Sequence, residues 1–270
     1  MNNGAHGAMS AERTFDLDAF STSEILGVKG DHTVSVVIPA RNEASTIAAV
    51  VDAVAVPHVA SAGGSGLVDE ILVVDDGSTD DTAALAGASG ATVLRLPVGA
   101  GGKGQAMAAG LAAATGDFIV FLDGDVENTH ERFITSLLGP LFSDPAIKLV
   151  KGYYERPLGG SVTGGGRVTE LVARPILDLL FPDLAFLLQP LAGETAAART
   201  TFEHVGFDVG YRVEMGLLLD VAAAFGTDAV AQSDLGIRRH RNRPIDELRP
   251  MAREVLEAAI SRSDSLSTLG

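Results

Sequence analysis

The chain has 270 residues, 46% of them hydrophobic, enough for one large domain with a substantial core. Its formal charge of −15 argues against a general nucleic-acid binder, whose field must attract phosphates. It contains no cysteine, which removes disulfides, zinc–thiolate sites and thiol catalysis together.

Residues 1–30 read as an irregular leader with a short helix near residues 23–26. The first 13 residues hold no apolar signal core. No stretch has the roughly 20 apolar residues of a membrane span. The nearest candidate, 176–188, is broken by Asp178, Pro182 and Asp183. The expectation is a cytoplasmic protein with no membrane partner.

Residues 33–38 (TVSVVI) are a β-branched run expected to stop at Pro39. A polar turn and an alanine-rich helix over 44–56 follow, then a flexible SAGGSG loop over 61–66. A strand over 70–74 ends in DDGSTDD and leads into a helix over 81–89. A strand over 91–96, a helix over 103–114 and a strand over 117–122 complete the alternation. Polar residues stand at the carboxyl end of each strand. This order predicts a Rossmann-like α/β fold: a mostly parallel sheet, helices on both faces, ligands at those carboxyl ends.

Beyond Asp125 the pattern is less regular. It predicts a helix over 131–142, a strand over 147–153, a glycine-rich loop over 161–166 and a helix over 167–180. Helices over 196–205 and 214–225 follow, then a strand over 229–235 and a charged amphipathic helix over 245–261. Ile245, Leu248, Val255, Leu256 and Ala259 form an apolar stripe on that last helix, which its own domain or a partner must cover. No linker interrupts residues 31–270.

Four motifs carry chemistry. Asp123-Gly124-Asp125 follows an apolar strand directly, so two carboxylates can face one small volume and hold a hard cation such as Mg2+. Alone, such a triplet is more often a plain turn; its place at a strand end raises it. Pro39-Ala40-Arg41-Asn42-Glu43 offers groups that read a base and phosphate, or simply cap a helix. In Asp75–Asp81, helix capping explains most residues; Asp76 and Ser78, nearest the strand end, are the better ligand candidates. Glycines 99, 101, 102 and 104 surround Lys103 at a helix start, which makes an anion site. It is not a P-loop, because Gly and Gln follow the lysine where Ser or Thr is required.

VVIPARNE, ILVVDDGSTDDT, GKGQAMAAGL and GDFIVFLDGD, in this order and spacing, resemble the large family of glycosyltransferases with one nucleotide-sugar-binding α/β domain, the GT-A fold. YYERP, GGGRVTEL, LAGETAAAR, GYRVEMGLLLD and QSDLGIRRHRNRPI are similar to the glucosyl-3-phosphoglycerate synthases, and close to their mannosyl counterparts. The resemblance covers about residues 33–260. It departs from the pattern at PARNEA, where a more acidic PARNEE is expected, and in the glycine- and serine-rich loops over 60–66 and 159–166.

The resemblance implies a nucleotide-sugar half over 31–125, an acceptor half over 126–244, and a helix and tail over 245–270. It puts Pro39, Ala40, Arg41, Glu43, Asp76, Ser78, Lys103 and Asp123 on the nucleotide-sugar, with Leu191, Ala192 and Gly193 lining the sugar pocket. Asp125 and His240 become metal ligands, for Mg2+ or Mn2+. Gly166, Arg167 and Thr169 meet the acceptor's phosphate and carboxylate, with Tyr211 and Asn242 close by. Glu214 lies near the transferring sugar and, with Asp125, is the catalytic candidate.

The residues themselves agree in part. Gly166-Arg167 and Thr169 place a guanidinium, a hydroxyl and free amides at a helix start, a fork for phosphate or carboxylate. Neighbouring arginines favour neutral His240, the form a metal needs.

The expected reaction is retaining transfer of glucose from UDP-glucose to the 2-hydroxyl of 3-phosphoglycerate. Mannosyl transfer from GDP-mannose and a catalytically silent nucleotide-sugar-binding protein are the rivals. A homodimer is expected, with the 245–261 helix at its interface.

Overall fold

The computed structural model of the chain describes residues 13–58, 66–99, 102–155, 166–238 and 245–263. Among these, eight strands form one sheet: β1 Thr14–Phe15, β2 Val34–Ala40, β3 Glu70–Asp75, β4 Thr92–Arg95, β5 Phe118–Phe121, β6 Leu149–Glu155, β7 Thr195–Ala198 and β8 Val230–Ile237. Their order is β1-β8-β6-β7-β5-β2-β3-β4. Every neighbouring pair is parallel except those of β7, which runs antiparallel to β5 and to β6.

The helices are α1 Thr22–Lys29, α2 Ile47–His58, α3 Thr82–Ala88, α4 Lys103–Ala113, α5 Arg132–Ser143, α6 Arg174–Leu180, α7 Arg199–Val205, α8 Arg212–Phe225 and α9 Ile245–Ile260. A π-helical turn, Thr169–Ala173, precedes α6 and makes residues 167–180 one helical run.

The inner strands are buried on both faces, and their side chains divide by the two-residue period of a strand. Val36, Ile38, Val73 and Val120 join α2 and α5 through Ile47, Val50, Val51, Phe133 and Leu137. Val37, Leu72, Val74, Ile119 and Phe121 join α4 and α8 through Ala106, Met107, Leu217 and Leu218. The expected mostly parallel sheet with helices on both faces is what forms.

Four expectations change. The second strand does not stop at Pro39; it runs on to Ala40, with Pro39 opposite Val74. Val37 accepts from Leu122 on the β5 side and Ala40 from Asp76 on the β3 side. By that alternation Pro39 faces β5 beyond the end of its ladder at Val37–Phe121, so its missing N–H breaks no sheet bond.

The helix expected over 196–205 begins only at Arg199. Thr195–Ala198 is instead a strand in the middle of the sheet. Alanine favours helix, but here the backbone fills the gap between β5 and β6, and tertiary pairing overrides propensity.

Part of the expected leader belongs to the sheet: Thr14 and Phe15 pair with Gln232 and Ser233 of β8. The short helix expected there forms as α1, closed by a capping box between Ser21 and Glu24.

The apolar stripe of α9 is covered by its own subunit. Val255, Ala258 and Ala259 are buried in the cluster under α8, with Leu248 packed at its edge. Leu256 turns outward instead. The amphipathic pattern of α9 therefore gives no argument for a second copy.

Candidate active site

The carboxyl ends of β2, β3 and β5 lie side by side, and two loops there are stitched together. Asn42, in the left-handed region at φ 58°, gives its N–H to Ser78 Oγ (2.9 Å) and accepts from the Thr79 N–H (2.8 Å). The Glu43 N–H donates to Thr82 Oγ1 (2.8 Å), and Asp80 accepts from Thr82 and from the Ala44 N–H. Ser78, expected on the nucleotide, thus serves the loop frame with its oxygen. Asp80 accepts from the backbone N–H of Thr82, the first residue of α3, whose N-cap is Asp81.

Asp76 is different. It is 5% exposed, its Oδ1 has no hydrogen-bond partner, and its Oδ2 lies 3.8 Å from the exposed Arg41. A buried carboxylate oxygen left without a donor is costly unless a ligand supplies one. Pro39 and Ala40 form the strand end beneath this pair. Glu43 is half-buried at the start of the turn into α2.

Beside it the Asp123-Gly124-Asp125 turn follows β5, with Thr46 Oγ1 bonded to the Gly124 carbonyl at 2.7 Å. Lys103, the first residue of α4, reaches into the turn. Its ammonium donates to Asp123 Oδ1 (2.7 Å) and Glu214 Oε1 (2.6 Å). Burial works against the charge on Lys103, but Asp123 and Glu214 outweigh it and hold the proton well above the lysine range. Burial likewise opposes the charge on Asp123, and Lys103 and Arg238 overcome it, holding the carboxyl well below the carboxylate range.

Gly193 lies directly over this pair. A Cβ there would collide with Asp123 Oδ1 and Lys103 Nζ, so only glycine lets the loop approach so closely. Ala192 is buried next to it, and its carbonyl accepts from the Lys151 ammonium at 2.6 Å. Leu191 is half-buried. Of the expected sugar-pocket residues, Gly193 is brought against Asp123 and Lys103, and Leu191 and Ala192 precede it in the same loop.

The other face of the turn meets Arg238 at the end of β8. Its Nη2 donates to Asp123 Oδ2 (2.9 Å) and Asp125 Oδ1 (2.8 Å). Its Nη1 donates to Tyr154 Oη (2.7 Å) and to Glu194 Oε2 (3.1 Å). Burial pushes Glu194 up, Arg238 only partly opposing.

On the acceptor side, Gly166 and Arg167 are half-buried and Thr169 is buried, at the start of the 167–180 run. That run packs against α9, and α9 also holds the segment before α8: Glu254 Oε2 accepts from the Tyr211 N–H at 2.7 Å. One helix thus supports both the 167–180 run and Tyr211. His240 and Asn242 lie outside the described residues.

Sequence reading passed over Arg238, Glu194 and Lys151. A usable signal existed: Lys151 interrupts an apolar strand, and Glu194 divides LAG from TAAA. A charge inside an apolar run must find a buried partner.

As for divalent metals, the donor set fits. Asp123 and Asp125 each turn one oxygen on a single positive centre, Arg238 Nη2, and Asp125 remains 27% exposed. Hard cations such as Mg2+ take one or two protein carboxylates and complete their shell with phosphate and water.

Residues 35–164 match the family model described as glycosyl transferase family 2. A glucosyl-3-phosphoglycerate synthase of Mycobacterium tuberculosis is 46% identical over 272 residues, covering 96% of this chain and 82% of the relative. One of Petrotoga mobilis is 43% identical, over 75% of this chain and 66% of the relative. The crystal structure of glucosyl-3-phosphoglycerate synthase from M. tuberculosis with Mn2+, UDP-glucose and phosphoglyceric acid superposes with a TM-score of 0.81 at 46% identity, covering 90% of this chain and 84% of that one.

Proposed function

Because the chain belongs to the glucosyl-3-phosphoglycerate synthase family of glycosyltransferases, we propose that it moves glucose from UDP-glucose to the 2-hydroxyl of 3-phosphoglycerate, releasing UDP and retaining the anomeric configuration. The observation that carries this reading is the Asp123–Asp125 pair. Both carboxylates meet one cationic point, Arg238 Nη2, and Asp123 also meets Lys103 beneath Gly193, in a chain 46% identical to a relative crystallised with Mn2+, UDP-glucose and phosphoglyceric acid.

In this reading Asp76, with Arg41 beside it, takes the nucleoside through its unpaired buried oxygen, and Pro39, Ala40, Glu43 and Ser78 shape the floor. Mg2+ or Mn2+ is held by Asp125 and His240, with Asp123 near the ribose; when bound, it offsets charge on the departing diphosphate. Lys103 adds a fixed positive charge on the opposite oxygen of Asp123. Leu191, Ala192 and Gly193 close over the sugar and exclude water. Gly166, Arg167 and Thr169, with Tyr211 and Asn242, orient the acceptor, so that the two substrates meet as a preassembled pair.

The acceptor hydroxyl attacks from the face that the diphosphate leaves, and a diphosphate oxygen receives its proton. Glu214 is committed to Lys103 and supports the sugar through that pair.

The reading includes cytoplasmic residence. Among the described residues no helix is long and apolar enough to cross a membrane. It also includes a homodimer. Leu171, Pro175 and Leu179 form an exposed apolar ridge on the 167–180 run, at helical spacing and suited to a two-fold contact. Light scattering at micromolar concentration tests the dimer, and a monomeric mass ends it.

The reaction is tested by NMR of the product formed from UDP-glucose and 3-phosphoglycerate. An α-glucosyl linkage to the 2-hydroxyl is expected. A β-linkage or a different acceptor oxygen overturns the assignment.

A further inference from the structure

We propose that Arg238 is a resident stand-in cation: in the donor-free chain it occupies the Asp123 and Asp125 oxygens, so that a divalent ion is captured well only together with a nucleoside diphosphate. The proposal rests on the reading of Asp125 as a metal ligand.

Arg238 is 3% exposed and makes both contacts to the turn through one nitrogen, Nη2, at 2.9 Å and 2.8 Å. The carboxylates are thereby neutralised before any ligand arrives, Asp123 doubly so through Lys103. A divalent ion that takes the Asp125 oxygen must draw it away from a buried guanidinium. Two cations then stand close together where water screens poorly, and their repulsion opposes metal binding.

A diphosphate reverses this balance. It adds negative charge beside both cations and offers Nη2 a new charged acceptor. Arg238 need not leave. Nη1 stays anchored by Tyr154 Oη at 2.7 Å and Glu194 at 2.9 Å, so that only the Nη2 end turns.

Metal and diphosphate are then coupled ligands, and each tightens the other by the same factor. Arg238 sets that factor. Its role differs from that of Lys103, which holds the opposite oxygen of Asp123 and makes no contact with Asp125 among the described bonds.

The test is a titration of Mn2+ into the full chain with and without UDP, followed by the EPR signal of free Mn2+. A reciprocal titration of UDP with and without Mn2+ accompanies it. In the unaltered chain UDP should tighten Mn2+ binding on the order of tenfold or more. Arg238→Gln should tighten Mn2+ binding without UDP by a similar factor and shrink the enhancement. Tyr154→Phe removes only one anchor and should shift both quantities the same way, by less; it serves if Arg238→Gln does not fold. Equal Mn2+ affinity with and without UDP in the unaltered chain overturns the proposal. So does unchanged or weaker Mn2+ binding without UDP in Tyr154→Phe and in any folded Arg238→Gln. Asp125→Asn separates the two readings: if it still captures Mn2+ with UDP as the unaltered chain does, the metal assignment itself fails. If that capture is lost while the Arg238 and Tyr154 variants behave as the unaltered chain, the role of Arg238 alone fails.

Discussion

The Lys103 ammonium stands 2.6 Å from Glu214 Oε1, although the two residues are 111 positions apart, and both are largely buried. Lys103 opens α4 and Glu214 lies in the first turn of α8, so the pair ties two distant helices together, with Lys103 directly beneath Gly193.

Lys103→Met strands the Glu214 carboxylate in a largely buried site and leaves Asp123 with Arg238 alone. Removing one partner of a buried pair costs roughly 3–5 kcal/mol. Adding Glu214→Gln should restore part of that loss, because the stranded charge disappears. Urea denaturation of the two single variants and the double variant measures this. Strict additivity would show that the pair is not coupled.

Glu214→Gln alone keeps an acceptor oxygen for the sugar and leaves Lys103 paired with Asp123. Turnover should fall by no more than about tenfold, whereas losing a covalent nucleophile costs on the order of 10^4-fold or more. Single-turnover kinetics decide the matter. A collapse of the chemical step with the fold intact would point instead to a covalent glycosyl–enzyme formed through Glu214.

Much of this site is legible in the sequence because it sits where strands end. Asp76, Asp123 and Asp125 each follow an apolar run, and a parallel sheet aligns such ends without further information. Lys103 was legible as a helix start flanked by glycine. Arg238, Glu194 and Lys151 were not, because their meaning depends on β6, β7 and β8 lying next to one another. That adjacency turns on Thr195–Ala198 being a strand, which its alanines hide. The covering of α9 was equally hidden: an amphipathic period states that a face is buried but not by what.

Arg167→Ala should raise the KM for 3-phosphoglycerate far more than that for UDP-glucose. A desolvated charge-assisted contact to phosphate is worth on the order of 2–5 kcal/mol. Steady-state kinetics with each substrate varied in turn test this. Equal effects on the two would place Arg167 outside the acceptor subsite.

Lys151 gives a pH dependence. Burial pushes its ammonium down to about 8 from 10.5, against the attraction of Glu214 and Glu194. Below about 8 both folded and unfolded chains carry the proton, and the folded state bears the full cost of the buried charge. Between about 8 and 10.5 the folded chain sheds its proton first, so stability rises with pH across that window. Lys151→Met lacks this contribution. The stability of the unaltered chain relative to Lys151→Met should therefore increase as pH rises through the window, as read by urea denaturation. A flat difference would mean that Lys151 titrates as an exposed lysine does.

The most direct test of the central claim is nucleoside diphosphate release over a matrix of donors. UDP-glucose, GDP-glucose, UDP-mannose and GDP-mannose are each tried with and without 3-phosphoglycerate, in Mg2+ and in excess chelator. Release should be fastest with UDP-glucose, should require 3-phosphoglycerate, and should vanish in chelator and return with Mg2+ or Mn2+. Preference for GDP-mannose, release indifferent to 3-phosphoglycerate, or undiminished turnover in chelator would contradict it.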